Sequence, residues 1–194
     1  ELARQFGHEV LPTRAGLVPL TLSGKHQEHY ADLAGVALPV VETRVGKQRF
    51  RAGTLFTHRG ISGPAILQIS SYWQPGDDLR IDLLPDLDVG AHLLEQRAAR
   101  PLAELKTVLG ELLPKRLAQR LCEQWLGNRP MRQYRDAELA RIGEQLGDWP
   151  ITASGTEGYR TAEVTLGGVD TAGISSSTMQ SKLVPGLYFI GEVV

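Results

Sequence analysis

Apolar and polar residues alternate with a period of two from Val36 to Phe56, the clearest pattern in the chain. Val36, Leu38 and Val40 hold one phase, and Val41, Thr43 and Val45 hold the opposite one. A phase switch of one residue is what a β-bulge produces, and Pro39 stands beside it. Gly46-Lys47 supplies a turn and Phe50 to Phe56 returns, so the region predicts a hairpin. Leu79, Ile81 and Leu83 alternate with Arg80 and Asp82 and predict a half-buried strand that ends at Pro85. Leu17 to Leu22 predicts a strand whose Pro19 suits an edge or a bulge, and Ile151 to Ser154 predicts another. Between them, Gly60-Ile61-Ser62-Gly63-Pro64 changes the period. Ser62 is placed to cap a short helix that buries Ala65, Ile66 and Ile69, with Pro64 tolerated in its first turn. At the start, Leu2 to Phe6 reads as a last helical turn stopped by Gly7, followed by an extended link over residues 8–12.

The period changes again after Asp86, where strand patterning stops. Val89 to Ala99 predicts a helix closed by Arg100-Pro101. Leu102, Leu105, Leu109, Leu112 and Leu113 predict a second. Pro114 opens a third, which carries Leu117, Leu121, Trp125 and Leu126 on one stripe and stops at Gly127-Asn128. Asp136 is placed to cap a fourth with Leu139, Ile142 and Leu146 on one face, ended by Gly147. These faces predict a small bundle that leans on the sheet, because about sixty residues are marginal for a separate fold. The fold class is α+β: an antiparallel sheet or small β-barrel domain from 16–86 and 148–163, with a helical subdomain inserted at 87–147.

Composition narrows the function without naming it. The chain has 194 residues, 42% hydrophobic and 22% charged, which are ordinary globular values. A net charge of −1 and a pI near 6.6, with Lys and Arg scattered among Asp and Glu, argue against a nucleic-acid partner. No stretch approaches the ~20 apolar residues of a membrane span, and no signal-peptide pattern opens the chain, which fits a cytoplasmic protein. The lone Cys122 excludes an intramolecular disulfide and reads as a buried thiol on an apolar helix face.

Candidate chemistry is sparse. His26 and His29 are three residues apart but no carboxylate-rich partner motif follows, so no metal site is nominated. His58 and Ser62 have no acid to orient the histidine and no Gly-x-Ser-x-Gly elbow, so hydrolase chemistry is set aside. The closing segment says more. Val164-Thr165-Leu166 ends on Gly167-Gly168, and Leu187-Tyr188-Phe189-Ile190 lies between Pro185-Gly186 and Gly191-Glu192. Apolar runs ending on glycine are how buried parallel strands meet a phosphate or a ring. The other reading is two core strands with ordinary turns.

The run Ala162 to Val169, then Thr178-Met179-Gln180-Ser181-Lys182, then Pro185 to Val193, resembles the closing segment of the BaiN-type, aminoacetone-oxidase-like FAD-dependent oxidoreductases. Leu55-Phe56-Thr57-His58-Arg59-Gly60-Ile61-Ser62-Gly63-Pro64-Ala65-Ile66-Leu67 resembles a second signature of that family. The resemblance implies a flavoenzyme in which FAD passes electrons between NAD(P)H and a small-molecule substrate. It implies that Gly167, Gly168 and Val169 bring backbone against the flavin or its ribityl chain, and that Gly191 and Glu192 sit near the ribityl–pyrophosphate part. It nominates no catalytic acid or base. Such a family begins with a Gly-x-Gly-x-x-Gly turn, which is absent from Glu1 to Val194. The expectation is an interior piece, inactive alone and free of bound cofactor. Residues 1–15 are then a stub of the FAD-binding domain, residues 164–194 the return segment to it, and that domain is the piece's own partner. The alternative is a non-enzymatic protein-interaction or dimerisation module, and substrate and oligomeric state stay open.

Overall fold

The computed structural model describes residues 1–194. Its main sheet has seven strands, all paired antiparallel. The strands are β2 (Leu20–Thr21), β3 (Ala37–Val45), β4 (Gln48–Phe56), β5 (Gly60–Ser62), β6 (Leu79–Asp82), β7 (Trp149–Ile151) and β8 (Gly155–Thr156), in the spatial order β7-β6-β3-β4-β5-β2-β8. The expected hairpin is β3–β4, and its register shifts between Leu38 and Val41, where the phase switch lies. Leu38 and Val41 are both buried as a result, while Val40 between them is exposed. The two edge strands, β7 and β8, are consecutive stretches of one segment joined by residues 152–154, and Ser154 N–H donates to Thr21 O at 2.8 Å. The sheet therefore curls back toward itself without forming a closed hydrogen-bonded barrel. The fold is α+β with antiparallel sheets.

A second, two-stranded sheet pairs β1 (Val10–Gly16) with β9 (Val164–Val169). Residues 10–12, expected as a plain link, thus belong to a strand, because β9 supplies the ladder that the local sequence does not announce. The expected strand over 17–22 shrinks to β2, since Leu17 takes φ +45° and Pro19 follows it. Helix α1 (Leu2–Gln5) ends as expected on Gly7, where Gly7 N–H reaches Arg4 O and His8 N–H reaches Ala3 O, a Schellman closure. After α2 (Gly24–Tyr30), the short helix α3 (Pro64–Ser70) is preceded by Gly63 at the N-cap. Ser62, expected there, is one residue too early and lies in β5.

Helix α4 (Val89–Ala99) is capped by Asp88, whose carboxylate accepts from Ala91 N–H at 3.0 Å. The second helical stripe resolves into α5 (Leu105–Leu109) alone. The third is α6 (Lys115–Leu121), which widens into a π-turn over Cys122–Leu126. Helix α7 (Asp136–Gly147) starts one residue earlier than expected, with Arg135 at the N-cap. Glu138 accepts the Arg135 N–H at 2.9 Å, the half of a capping box that an arginine cap leaves possible. Helices α4 and α7 approach at a glycine pair, where a Cβ on Gly143 would lie 2.6 Å from Gly90 N. No helix is long and apolar enough to cross a membrane.

One cluster of 36 buried residues runs through the sheet and the helices alike, from Leu20, Val41, Ile61 and Ile81 to Leu93, Leu117, Leu139 and Leu146. The helices do not merely lean on the sheet; they share its core. Cys122 lies in this cluster, and burial pushes its thiol pKa up to about 12, so it stays protonated and inert. A separate cluster of four, Ala3, Val169, Ile174 and Phe189, holds the chain's two ends together.

Candidate functional site

The small cluster floors a groove of about 670 Å³ between α1, the β1–β9 ribbon and the segment 187–193. Leu2 and Phe6 project from α1, and Tyr188 and Val193 from the closing segment; all four are exposed apolar side chains. Gly167, Gly168, Val169 and Glu192 line this groove, so four of the five residues singled out in the sequence come together. Gly191 does not line it; it starts the short 3₁₀ turn Gly191–Val193 with φ +75°.

The local structure explains the glycine pair differently from the sequence. Val164-Thr165-Leu166 forms an antiparallel strand against β1, not a buried parallel one. Gly167 (φ +86°) and Gly168 (φ +117°) lie within β9 in conformations that favour glycine, before the strand ends at Val169. A Cβ on Gly167 would stand 2.2 Å from Pro12 O, and one on Gly168 would stand 2.6 Å from Val193 O. Their bare Cα positions therefore answer to the chain's own flanking segments, pressed close on both sides. Leu187 to Ile190 is not a strand. It makes one isolated bridge, Gln180 to Tyr188, and leaves Ile190 72% exposed, because no neighbouring strand lies alongside to continue a ladder.

His8 was not visible as a site residue in the sequence. It is buried, and its Nε2 lies 2.6 Å from Ser181 Oγ. Ser181 Oγ accepts from Leu183 N–H (3.0 Å) and Val184 N–H (2.9 Å), which turns its own hydrogen toward His8 Nε2. The His8 ring also meets Phe189 edge-on, with centroids 4.8 Å apart. This pair pins the approach to β1 onto the segment beneath the groove. No periodicity or spacing links two residues 173 positions apart.

The groove's chemistry fits part of FAD. Its apolar walls suit a flat ring system, and Gly167, Gly168 and Val169 are among the residues that line it. It has no Lys or Arg among its lining residues, while Glu1 and Glu192 are acidic, so it does not fit a diphosphate.

A second cavity, of about 580 Å³, opens on the opposite kind of surface, where α2, the π-turn, the end of α7 and β7 meet. Trp125 stands in it, stacked on Tyr30 (5.6 Å, 26°) and edge-on to Trp149 (5.0 Å, 83°) and His29 (5.5 Å, 89°). His26 and His29, not nominated as a metal pair, share this rim with ring centroids 6.4 Å apart, and His29 is half-buried against Trp125. No third His, Cys, Asp or Glu joins them as a metal cluster. His58 is exposed in the β4–β5 turn, makes no side-chain hydrogen bond, and is not joined to Ser62.

Residues 14–164 match the family described as "HI0933-like protein barrel and H2TH domain". The chain is 55% identical over 197 residues to a ribosomal RNA dihydrouridine synthase of Escherichia coli (strain K12), a match that covers 100% of this chain and 49% of the relative. It is 46% identical over 195 residues to a protein of the same name from Haemophilus influenzae, covering 100% and 48%. A 3-dehydro-bile acid delta(4,6)-reductase of Clostridium scindens is 29% identical over 212 residues, covering 100% and 50%. The chain spans about half the length of the curated relatives it matches. With the match running through the curled sheet and all the helices of its shared core, this chain belongs to the HI0933-like family.

Proposed function

We propose that this chain is the sheet-and-helix half of an FAD-dependent reductase that saturates a carbon–carbon double bond of uridine in ribosomal RNA. The observation that carries the reading is 55% identity along the whole chain to a ribosomal RNA dihydrouridine synthase. That relative's name and the bile acid reductase's describe one kind of chemistry, the addition of two hydrogens across a carbon–carbon double bond. Bound FAD supplies hydride for such a reaction, re-reduced by a nicotinamide nucleotide. In this proposal Gly167, Gly168 and Val169 bring backbone to the flavin ring. Glu192 and Gly191 lie toward the ribityl chain, and the diphosphate is held by the remaining half of the protein.

The placement of exposed apolar surface favours a flavoenzyme over a protein-interaction module. Four exposed apolar side chains, Leu2, Phe6, Tyr188 and Val193, gather in the groove facing 165–169 and 187–193, while those of the helical region, Leu87, Leu102 and Trp125, are spread apart along the chain. RNA as substrate departs from the expectation drawn from net charge. A net charge of −1 means that this half's contacts with RNA are ring against ring more than ion against phosphate. The test is to supply the full-length protein with FAD, NADPH and a ribosomal RNA transcript, then digest the RNA and weigh its nucleosides. A uridine gaining two hydrogens only when NADPH is present is the expected result. Reduction of a steroid dienone with no change in the RNA would overturn the substrate class.

A further inference from the structure

The cavity around Trp125 is built from residues that lie far apart in the chain: His29, Arg80, Trp125, Gln145, Trp149 and Thr152. Trp125 is 38% exposed although it belongs to an aromatic stack. Its position is fixed from behind: Tyr30 is buried beneath it, and Trp149 Nε1 donates to Tyr30 Oη at 2.8 Å. Burial pushes the Tyr30 hydroxyl up to about 12, so it remains a neutral acceptor for that bond. The π-turn over Cys122–Leu126 carries Trp125 out to the rim, the kind of helix irregularity that accompanies functional positions. Trp125 is the partly exposed ring of this stack and lines the cavity.

The cations of the polar rim are paired, and Glu144, which forms no ion pair, leaves the rim slightly negative. Asp148 is paired with Arg44 and lies 3.5 Å from Arg80, and Arg80 also holds Asp78 at 2.7 Å. Those cations are already matched, so the site is a poor phosphate trap. Gln145 and Thr152 are exposed and paired with no other side chain, which leaves an amide and a hydroxyl free to meet the edge of a planar ring. An aromatic platform, matched cations and free neutral hydrogen-bonding groups suit an unpaired base.

We infer that this cavity holds one unpaired nucleobase of an RNA strand, stacked on Trp125 with its edge met by Gln145 and Thr152. The choice of RNA as the source rests on the reading given under Proposed function; the adenine of a dinucleotide would use the same stacking chemistry. The test uses the full-length, FAD-loaded protein and a fluorescein-labelled, uridine-rich single-stranded RNA, with binding followed by anisotropy. Trp125→Ala weakens binding by about 5- to 150-fold, the loss expected for one stacked base. Trp125→Phe keeps a ring and recovers most of it. Gln145→Ala removes an exposed side chain and weakens binding severalfold, so the test survives if Trp125→Ala does not fold. The rate at which NADPH reduces the flavin stays unchanged in all three. Unaltered RNA affinity in folded Trp125→Ala or Gln145→Ala overturns the site. So does slowed flavin reduction with RNA affinity intact, which assigns the cavity to the dinucleotide. Wild-type protein that binds RNA through Trp125 but forms no dihydrouridine refutes the proposed reaction and leaves the cavity standing. Dihydrouridine formation with unaltered binding in the variants does the reverse.

Discussion

Gly168 sits at φ +117° with the Val193 carbonyl 2.6 Å from where a Cβ would be, and both facts act on the chain with or without a cofactor. An L-residue in that conformation costs about 1–2 kcal/mol before any collision is counted. Gly168→Val is therefore expected to lower the melting temperature of the cofactor-free chain itself, by at least that much stability. If flavin were the only neighbour that demands glycine here, apo melting would be unchanged and only FAD occupancy would fall. Comparing apo and FAD-loaded melting of wild type and variant decides between the two. The crowding by Pro12 and Val193 was not legible in the sequence, because the two approach the glycine pair from opposite ends of the chain. His8 and Ser181 were invisible for the same reason.

At the scale of elements, what was legible was what is written locally. The β3–β4 hairpin and its bulge follow from alternation and one phase switch, and α4, α6 and α7 follow from three- and four-residue spacing. Val164-Thr165-Leu166 was legible as a strand, but the β1–β9 ribbon was missed because its partner lies about 150 residues away and residues 10–12 carry too little alternation to be recognised alone. The Trp125 cavity was missed because its lining comes from four separated stretches, residues 26–30, Arg80, Trp125 and residues 144–152. The start of α7 was off by one residue for a chemical reason that can be tested. Glu138 is held down to about 2, first by the Arg135 N–H and then by the Arg129 and Arg135 guanidinium groups. A carboxylate with a depressed folded pKa contributes its stability above the ordinary value of 4.5 and loses it as pH falls toward 2. Glu138→Gln should thus melt below wild type at pH 7, and the gap should close between about pH 4.5 and pH 2. A gap that stays constant across that range would mean the charge on Glu138 is irrelevant and only its shape matters.

For the whole molecule, the boundary drawn at 87–147 from the change in periodicity is a boundary of secondary structure, and the core ignores it. The 36-residue cluster takes in residues on both sides, Leu83 N–H donates to Leu146 O at 3.0 Å, and Trp125 lies against both Tyr30 and Trp149. Excising 88–147 with a short Gly/Ser bridge removes Leu93, Leu105, Leu109, Leu117, Leu121, Leu139 and Leu146, all fully buried. Exposing the sheet residues they cover loses roughly 1.5–3 kcal/mol per large side chain. The entire margin of a folded domain is about 5–15 kcal/mol, so about two to ten such losses exhaust it. The shortened chain is therefore expected to show no cooperative transition in urea or on heating, and to bind a hydrophobic dye at all temperatures. A sharp, reversible transition in the shortened chain would instead show that the curled sheet closes over its own apolar face. The helices would then be an independent addition to a self-sufficient β domain.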